Sequence, residues 1–94
     1  MTDEIAVECS RVADRWRCTV RAGTDAGATV HDVAVSAETL QRLRPGSDDP
    51  TEVVRDSFAF LLAREPRKAI LRSFELPLIA RYFPEWEAEV RRSG

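Results

Sequence analysis

The 94-residue chain is 44% hydrophobic and 32% charged, a balance typical of one globular domain. No apolar run approaches the roughly 18 residues that span a bilayer, and the acidic start MTDEIAVECS lacks the positive charge of a secretory signal, so we expect a cytoplasmic protein without membrane contact. The net charge is −2, with the acidic excess in residues 1–63 and a small basic excess in residues 64–94, which excludes a chain-wide field for nucleic acid.

The first third of the chain shows the two-residue alternation of half-buried β-strands. Apolar residues alternate with polar ones in residues 5–9, 16–20 and 29–36. The segment 11–15 and the glycine-containing segment 23–27, which includes Asp25, have the composition of turns. The simplest arrangement is a three-stranded antiparallel meander with one buried face.

The helical half begins at Ser36, a favourable N-cap, and the spacing predicts a short helix over residues 37–43 that ends at Pro45-Gly46-Ser47. Asp49-Pro50 then predicts the start of a second helix, which should run to about Arg64 and stop before Pro66. Its apolar arc is roughly 200° wide, against about 100° for an ordinary surface helix. Ser57 lies inside this arc, where its hydroxyl can bond back to the carbonyl of Val53.

The remaining chain predicts further helices. One should open at Pro66 and cover residues 66–74, and another should open at Pro77. Leu78, Tyr82, Trp86 and Val90 follow at a spacing of four and form an apolar stripe, but Pro84 removes a backbone donor within this stripe. We therefore expect a break at Phe83 and a new helix from Pro84, with a single kinked helix as the alternative.

These elements predict an α+β fold in one domain, residues 1–94, with the sheet in residues 1–36 and helices in residues 37–92. The core should combine both halves. Its expected members are Trp16, Val33, Val54, Phe58, Leu61, Ile70, Leu71, Phe74, Ile79 and Phe83.

The stretch SFAFLLAREP and the following ILxxFxLxxIxxYFPE pattern resemble a recurring type of short, uncharacterised bacterial protein. The similarity covers about residues 28–90. The strong preference for arginine, with Lys68 as the single lysine, is also typical of a high-GC bacterial genome. The resemblance implies a compact bacterial domain, and it implies no activity and no functional residue.

No catalytic, metal-binding or cofactor-binding motif is evident. His31 is the only histidine, and its neighbour Asp32 points to the opposite face of the strand, so this pair cannot cooperate. Cys9, Cys18 and His31 could share a sheet face, but a structural zinc site normally needs four ligands. Two strand registers remain open, one pairing Cys9 with Cys18 and the other pairing Cys9 with Trp16, and two reduced thiols are the favoured state. We expect a protein that is not an enzyme and has no cofactor or metal.

Residues 66–83 have the length of a helix–turn–helix segment with a basic edge. The candidate nucleic-acid contacts are Arg64, Arg67, Lys68, Arg72 and Arg81. The second of these helices, PLIARYF, offers only Arg81 and Tyr82 as polar groups, whereas base readout needs several donors and acceptors facing the groove. A small DNA-binding regulator is therefore the alternative hypothesis, not the favoured one.

The wide apolar arc of the 50–64 helix favours a protein–protein function. The sheet and the C-terminal helices could cover the whole arc, or one flank could contact a second chain in a homodimer or another assembly. The candidate interface residues are Ala59, Phe60, Leu62 and Ala63. Because a small domain gains most from burying an interface, we expect a non-catalytic binding or assembly module without a small-molecule substrate.

Overall fold

A computed structural model describes residues 4–24 and 26–93 and shows an α+β fold. The described elements are β1 (Ile5–Val12), β2 (Arg15–Ala22), β3 (Thr29–Ser36), α1 (Ala37–Leu43), α2 (Thr51–Leu62), β4 (Ser73–Glu75), α3 (Ile79–Tyr82) and α4 (Trp86–Ser93). Short 3₁₀ turns at Arg67–Ala69 and Leu76–Leu78 flank β4. No helix in the described part of the chain is long and apolar enough to cross a membrane.

The sheet has four strands in the order β1-β2-β3-β4, so the expected three-stranded meander is correct but incomplete. β1, β2 and β3 pair antiparallel, and β4 adds to β3 in parallel. The parallel addition requires a long crossover, which α1 and α2 provide. Side chains alternate between buried and exposed along β2, so one face of the sheet meets the helices and the other meets solvent.

The first hairpin fixes the register that the sequence left open. Val12 pairs with Arg15 across a two-residue turn, so Cys9 lies directly opposite Cys18, and the structure joins them in a disulfide. The expectation of two free thiols was therefore wrong. In the second hairpin Gly23 has a φ of +96°, a conformation that favours glycine, and Asp25 of this turn lies outside the described residues.

The first two helices follow their local signals. Ser36 caps α1 by accepting a hydrogen bond from the Thr39 amide, and α1 ends before the turn at Gly46. At α2, the Asp49 carboxylate accepts hydrogen bonds from the hydroxyl and the amide of Thr51. These two bonds, the hydroxyl bond first, hold the pKa of Asp49 below its ordinary value.

The helix predicted over residues 66–74 does not form. Arg67–Ala69 is a single 3₁₀ turn, and Ser73–Glu75 forms β4. The backbone amide of Asp32 in β3 donates to the carbonyl of Arg72, which draws this segment into the sheet. The expected break at Phe83 is confirmed, because α3 ends at Tyr82 and α4 begins at Trp86.

The core lies between the sheet and α2, and α4 packs on α2 through Trp86, whose indole bonds to Ser57. Of the ten expected core residues, seven are buried and Phe74 and Phe83 are half-buried. The prediction that Leu71 belongs to the core was wrong, since 49% of this residue is exposed. The helical period placed Leu71 on a buried face, but the segment is extended there and turns this side chain outward.

Candidate functional site

His31 has a structural role in holding β4. The ring is 1% exposed, and its Nδ1 lies 2.7 Å from the carbonyl oxygen of Leu71. A carbonyl only accepts, so Nδ1 carries the proton and Nε2 contacts the Thr29 hydroxyl at 2.8 Å. Both ring nitrogens are thus occupied. The described residues contain no group of three or more histidine, cysteine, aspartate or glutamate side chains placed to hold a metal ion.

The apolar arc of α2 is largely covered inside the chain. Val54 and Phe58 are buried in the core, and the Phe58 ring lies 5.2 Å from the ring of His31 in β3. Ser57 bonds back to the carbonyl of Val53 at 2.7 Å, as expected. Phe60 is only 8% exposed, because the ring of Phe83 lies edge-on against it.

The four candidate interface residues at the end of α2 do not form a continuous apolar surface. Arg64 places its guanidinium carbon 3.6 Å from the centroid of the Phe60 ring and so covers Phe60 from outside. Leu62 is half-buried against the core, while Ala59 and Ala63 are exposed. The flank that reaches solvent therefore consists mainly of two small side chains.

A different apolar surface is open to solvent. It is a groove of about 250 Å³ between the end of α2, the segment that leads into β4, and α3. Its lining residues are Leu61, Glu65, Ala69, Ile70, Leu71, Phe74, Leu78, Ile79, Tyr82 and Phe83. We call this surface the α3 groove.

The α3 groove has a buried floor and an exposed rim. Leu61, Ile70 and Ile79 form the floor and are nearly inaccessible. On the rim, Leu71 is 49% exposed and Tyr82 is 66% exposed, two of the four large hydrophobic side chains exposed in the described part of the protein. Exposed apolar surface is therefore concentrated beside this groove.

Three basic residues lie next to lining residues of the α3 groove in the sequence. Lys68 and Arg72 flank the lining segment in the chain, and Arg81 precedes Tyr82 in α3. All three side chains are exposed, and none of them has an ion pair with any residue of the described ranges 4–24 and 26–93. Glu65 is the single acidic residue in the lining.

The other two candidate nucleic-acid residues have internal contacts. Arg64 donates a hydrogen bond to the carbonyl of Phe60 at 3.1 Å and pairs with Glu85 at 3.6 Å. Arg67 is half-buried and donates from Nε to the carbonyl of Gly27 at 2.8 Å, which holds the second hairpin. The structure therefore does not bring the five basic residues together as one free surface.

A second depression, near the turn after α1, is polar. It contains Asp49, Glu52, Asp56, Arg44 and Arg91. Arg44 and Asp56 pair at 2.6 Å, and the Arg44 guanidinium also donates to the carbonyl of Val90 at 3.2 Å. These contacts join the end of α1 to α2 and α4. The charged residues of this depression therefore have a structural role in holding the helices together.

No family model, no curated protein and no solved structure matches this chain. The similarity to short bacterial proteins of the SFAFLLAREP type therefore stays a prediction from the sequence. Sequence reasoning missed the α3 groove because it placed Leu71 in the core and Tyr82 on a helical stripe together with Trp86 and Val90. The exposure of Leu71 follows from the extended segment 70–75, and that of Tyr82 follows from the break at Phe83. The helical spacing of apolar residues predicts neither of these two exposures.

Proposed function

We propose that this protein is a non-catalytic protein-binding module whose α3 groove accepts an apolar side chain from an acidic segment of another protein. The observation that carries this proposal is an apolar groove with Leu71 and Tyr82 exposed on its rim. Three basic residues, Lys68, Arg72 and Arg81, adjoin its lining in the sequence, and none of them has an ion pair with a residue that the structure describes. An acidic segment would complement those cations, and an apolar anchor would fill the groove.

The size of the groove favours a side chain over a small-molecule substrate. Its volume is about 250 Å³, below the roughly 300–1,000 Å³ of ordinary ligand pockets. Its lining is mainly apolar, and Glu65 and Tyr82 are the only lining residues with polar side chains. That composition supports docking in preference to catalysis, which requires an acid, a base or a nucleophile in mutual reach.

A peptide titration tests this proposal. The probes are 12-residue peptides with a central Phe or Leu flanked by Asp and Glu, and counterparts in which Lys replaces each acid. We expect the acidic peptides to shift the amide resonances of residues 69–82 with a Kd on the order of 10–100 μM. The Lys peptides should bind at least about tenfold more weakly, because their positive charges would be repelled by Lys68, Arg72 and Arg81.

Matched variants locate the binding surface. Leu71→Ser and Tyr82→Ser should each weaken the acidic peptide about tenfold or more without lowering the melting temperature, because both side chains are exposed. Val30→Ser is the control, since Val30 is 47% exposed on the open face of the sheet, close to the 49% of Leu71. Equal binding of acidic and Lys peptides, or an equal loss in the Val30 variant, would contradict the proposal.

The DNA-binding alternative has its own test. At near-physiological salt we expect no appreciable duplex binding, because Arg64 and Arg67 are held by internal contacts and the segment 66–74 is not a helix. Electrophoretic mobility shifts over a salt series measure this directly. A salt-sensitive shift at sub-micromolar protein, lost when Arg67, Lys68 and Arg72 are replaced by alanine, would favour the regulator and displace the protein-binding proposal.

A further inference from the structure

The outer edge of β1 carries backbone groups with a defined direction. β1 is a terminal strand of the sheet, and on its inner side it pairs with β2 over all eight residues without a bulge. The amide of Gly23 donates to the carbonyl of Glu4 at 2.8 Å, so the backbone of Glu4 points toward β2. Antiparallel pairs alternate, so the even-numbered residues 4 to 12 also point to β2. The odd-numbered residues 5 to 11 point their amides and carbonyls away from the sheet.

This edge has few of the features that usually protect terminal strands, and Arg11 near its end is the one charged residue on the covered face. β1 contains no proline and no lysine, it is as long as β2 and β3, and it has no bulge. No strand within the described residues pairs with its outer side. A long regular edge of this kind is a template for pairing with another strand. The apolar residues Ile5, Val7 and Cys9, on the covered face of β1, are only half-buried and would gain cover from such pairing.

We propose that two copies of this chain pair antiparallel along β1, with Val7 opposite Val7 of the second copy. Ile5 then lies opposite Cys9 of the second copy, and the two sheets become one continuous eight-stranded sheet. All three residue pairs join odd-numbered positions, whose backbone groups point outward, so each pair forms hydrogen bonds across the new junction. The same strand is used twice, as a two-fold dimer requires.

Charge complementarity selects this register. Ala6 pairs with Arg21 inside the chain, and the proposed register places Glu8 of the second copy on the other side of Ala6. Glu8 and Arg21 are then two strands apart, about 10 Å between Cα atoms, with only the small Ala6 between them on the exposed face. Arg21 is exposed and has no ion pair with any residue the structure describes, so the second copy's carboxylate would be its partner.

The registers shifted toward the carboxyl end of β1 are less favourable. A shift that places Val7 opposite Cys9 of the second copy also places Glu8 opposite Glu8, and like charges directly opposite destabilise a sheet. A further shift places Cys9 opposite Cys9 and Val7 opposite the charged Arg11. Shifts by an odd number would pair inner-face with outer-face residues, which the pleat forbids.

A charge-swap series measured by sedimentation equilibrium, from about 1 to 200 μM protein, tests this proposal. We expect the wild type to be dimeric at the upper end of this range. Glu8→Arg and Arg21→Glu should each weaken the dimer about tenfold or more. In each variant, position 8 of one copy and position 21 of the other carry the same charge sign on the two sides of Ala6. The double variant should restore dimerisation to within about threefold of the wild type. Both residues are exposed on the open face, so the fold should tolerate the changes.

A backbone variant tests the hydrogen bonds separately. Val7→Pro removes the outward amide at the centre of the junction and leaves the hydrogen bonds to β2 in place, so it should give a monomer. Val7→Ala is the matched control for the side chain and should still dimerise. A wild type that is monomeric at 200 μM would overturn the proposal. A dimer that tolerates Glu8→Arg, or a double variant that fails to recover, would overturn it as well, whether or not the proline variant folds.

Discussion

Replacing Phe58 with alanine is expected to lower the free energy of unfolding by about 3–5 kcal/mol. Phe58 is completely buried at the centre of α2, with its ring 5.2 Å from the ring of His31 and 6.1 Å from that of Phe74. Its removal opens a cavity beside His31 of β3 and Phe74 of β4. The whole stability of a small domain is about 5–15 kcal/mol, so much of it would be lost.

Chemical denaturation followed by circular dichroism measures this loss. Phe58→Leu is the control, since it keeps most of the volume and should cost about 1.5 kcal/mol or less. Val12→Ala tests the opposite case, because Val12 is 54% exposed and should change stability by less than about 0.5 kcal/mol. An alanine variant at position 58 that unfolds at the same denaturant concentration as the wild type would show that this helix face does not meet the sheet.

Replacing Trp86 with alanine is expected to cost a similar amount, about 3–5 kcal/mol, and to loosen α4 from α2. Trp86 is fully buried, and its indole Nε1–H donates to the Ser57 hydroxyl at 3.0 Å. That hydroxyl donates in turn to the carbonyl of Val53 at 2.7 Å. The indole is thus both the largest buried side chain of α4 and one end of a buried chain of hydrogen bonds.

A second variant, at Ser57, measures the contribution of the hydrogen bond apart from that of the packing of Trp86. Ser57→Ala improves the intrinsic helix propensity of α2, yet it leaves the Trp86 indole N–H buried without an acceptor, which costs about 1–3 kcal/mol. We therefore expect Ser57→Ala to destabilise the protein. In the Trp86→Phe background the same substitution should cost at least about 0.5 kcal/mol less, because the donor is gone. Equal effects of Ser57→Ala in both backgrounds would mean that this hydrogen bond contributes nothing.

The two proposed surfaces lie at opposite edges of the sheet. The α3 groove includes Phe74 of β4, whereas self-pairing would use β1, and the strand order places β1 and β4 at the two ends. A dimer joined along β1 would therefore carry one groove at each end of its continuous sheet. Such a dimer would bind two apolar anchors of one partner with an avidity that a monomer lacks, provided that the linker between the anchors spans the sheet.

Local signals in the sequence predicted the elements whose causes are local. Two-residue alternation predicted the first three strands, and the serine cap and the Pro-Gly turn predicted the bounds of α1. Pro84 predicted the break between α3 and α4, since a missing amide acts on its own helix. The hydroxyl bond from Ser57 to Val53 also spans one helical turn, so the sequence was enough to predict it.

Contacts between distant residues decided the rest. Residues 66–75 have a helical period and a good starting proline, but the open side of β3 accepts this segment as a strand through Asp32, and the buried His31 fixes it through the Leu71 carbonyl. Hydrogen bonds across about 40 residues cannot be seen in a local window, and here they outweigh helix propensity. The same choice turned Leu71 from an expected core residue into the rim of the α3 groove.

The sequence by itself determined the α+β class, the three antiparallel strands, and the apolar arc of α2, because each depends on periodicity and turn chemistry within one segment. Only the tertiary structure decided which side chains cover that arc, that Cys9 lies opposite Cys18, and where apolar surface stays open. The candidate site moved from the flank of α2 to the α3 groove because Phe83 and Arg64 cover Phe60. Exposure is a property of neighbours brought together by the fold, and a pattern along the chain does not contain those neighbours.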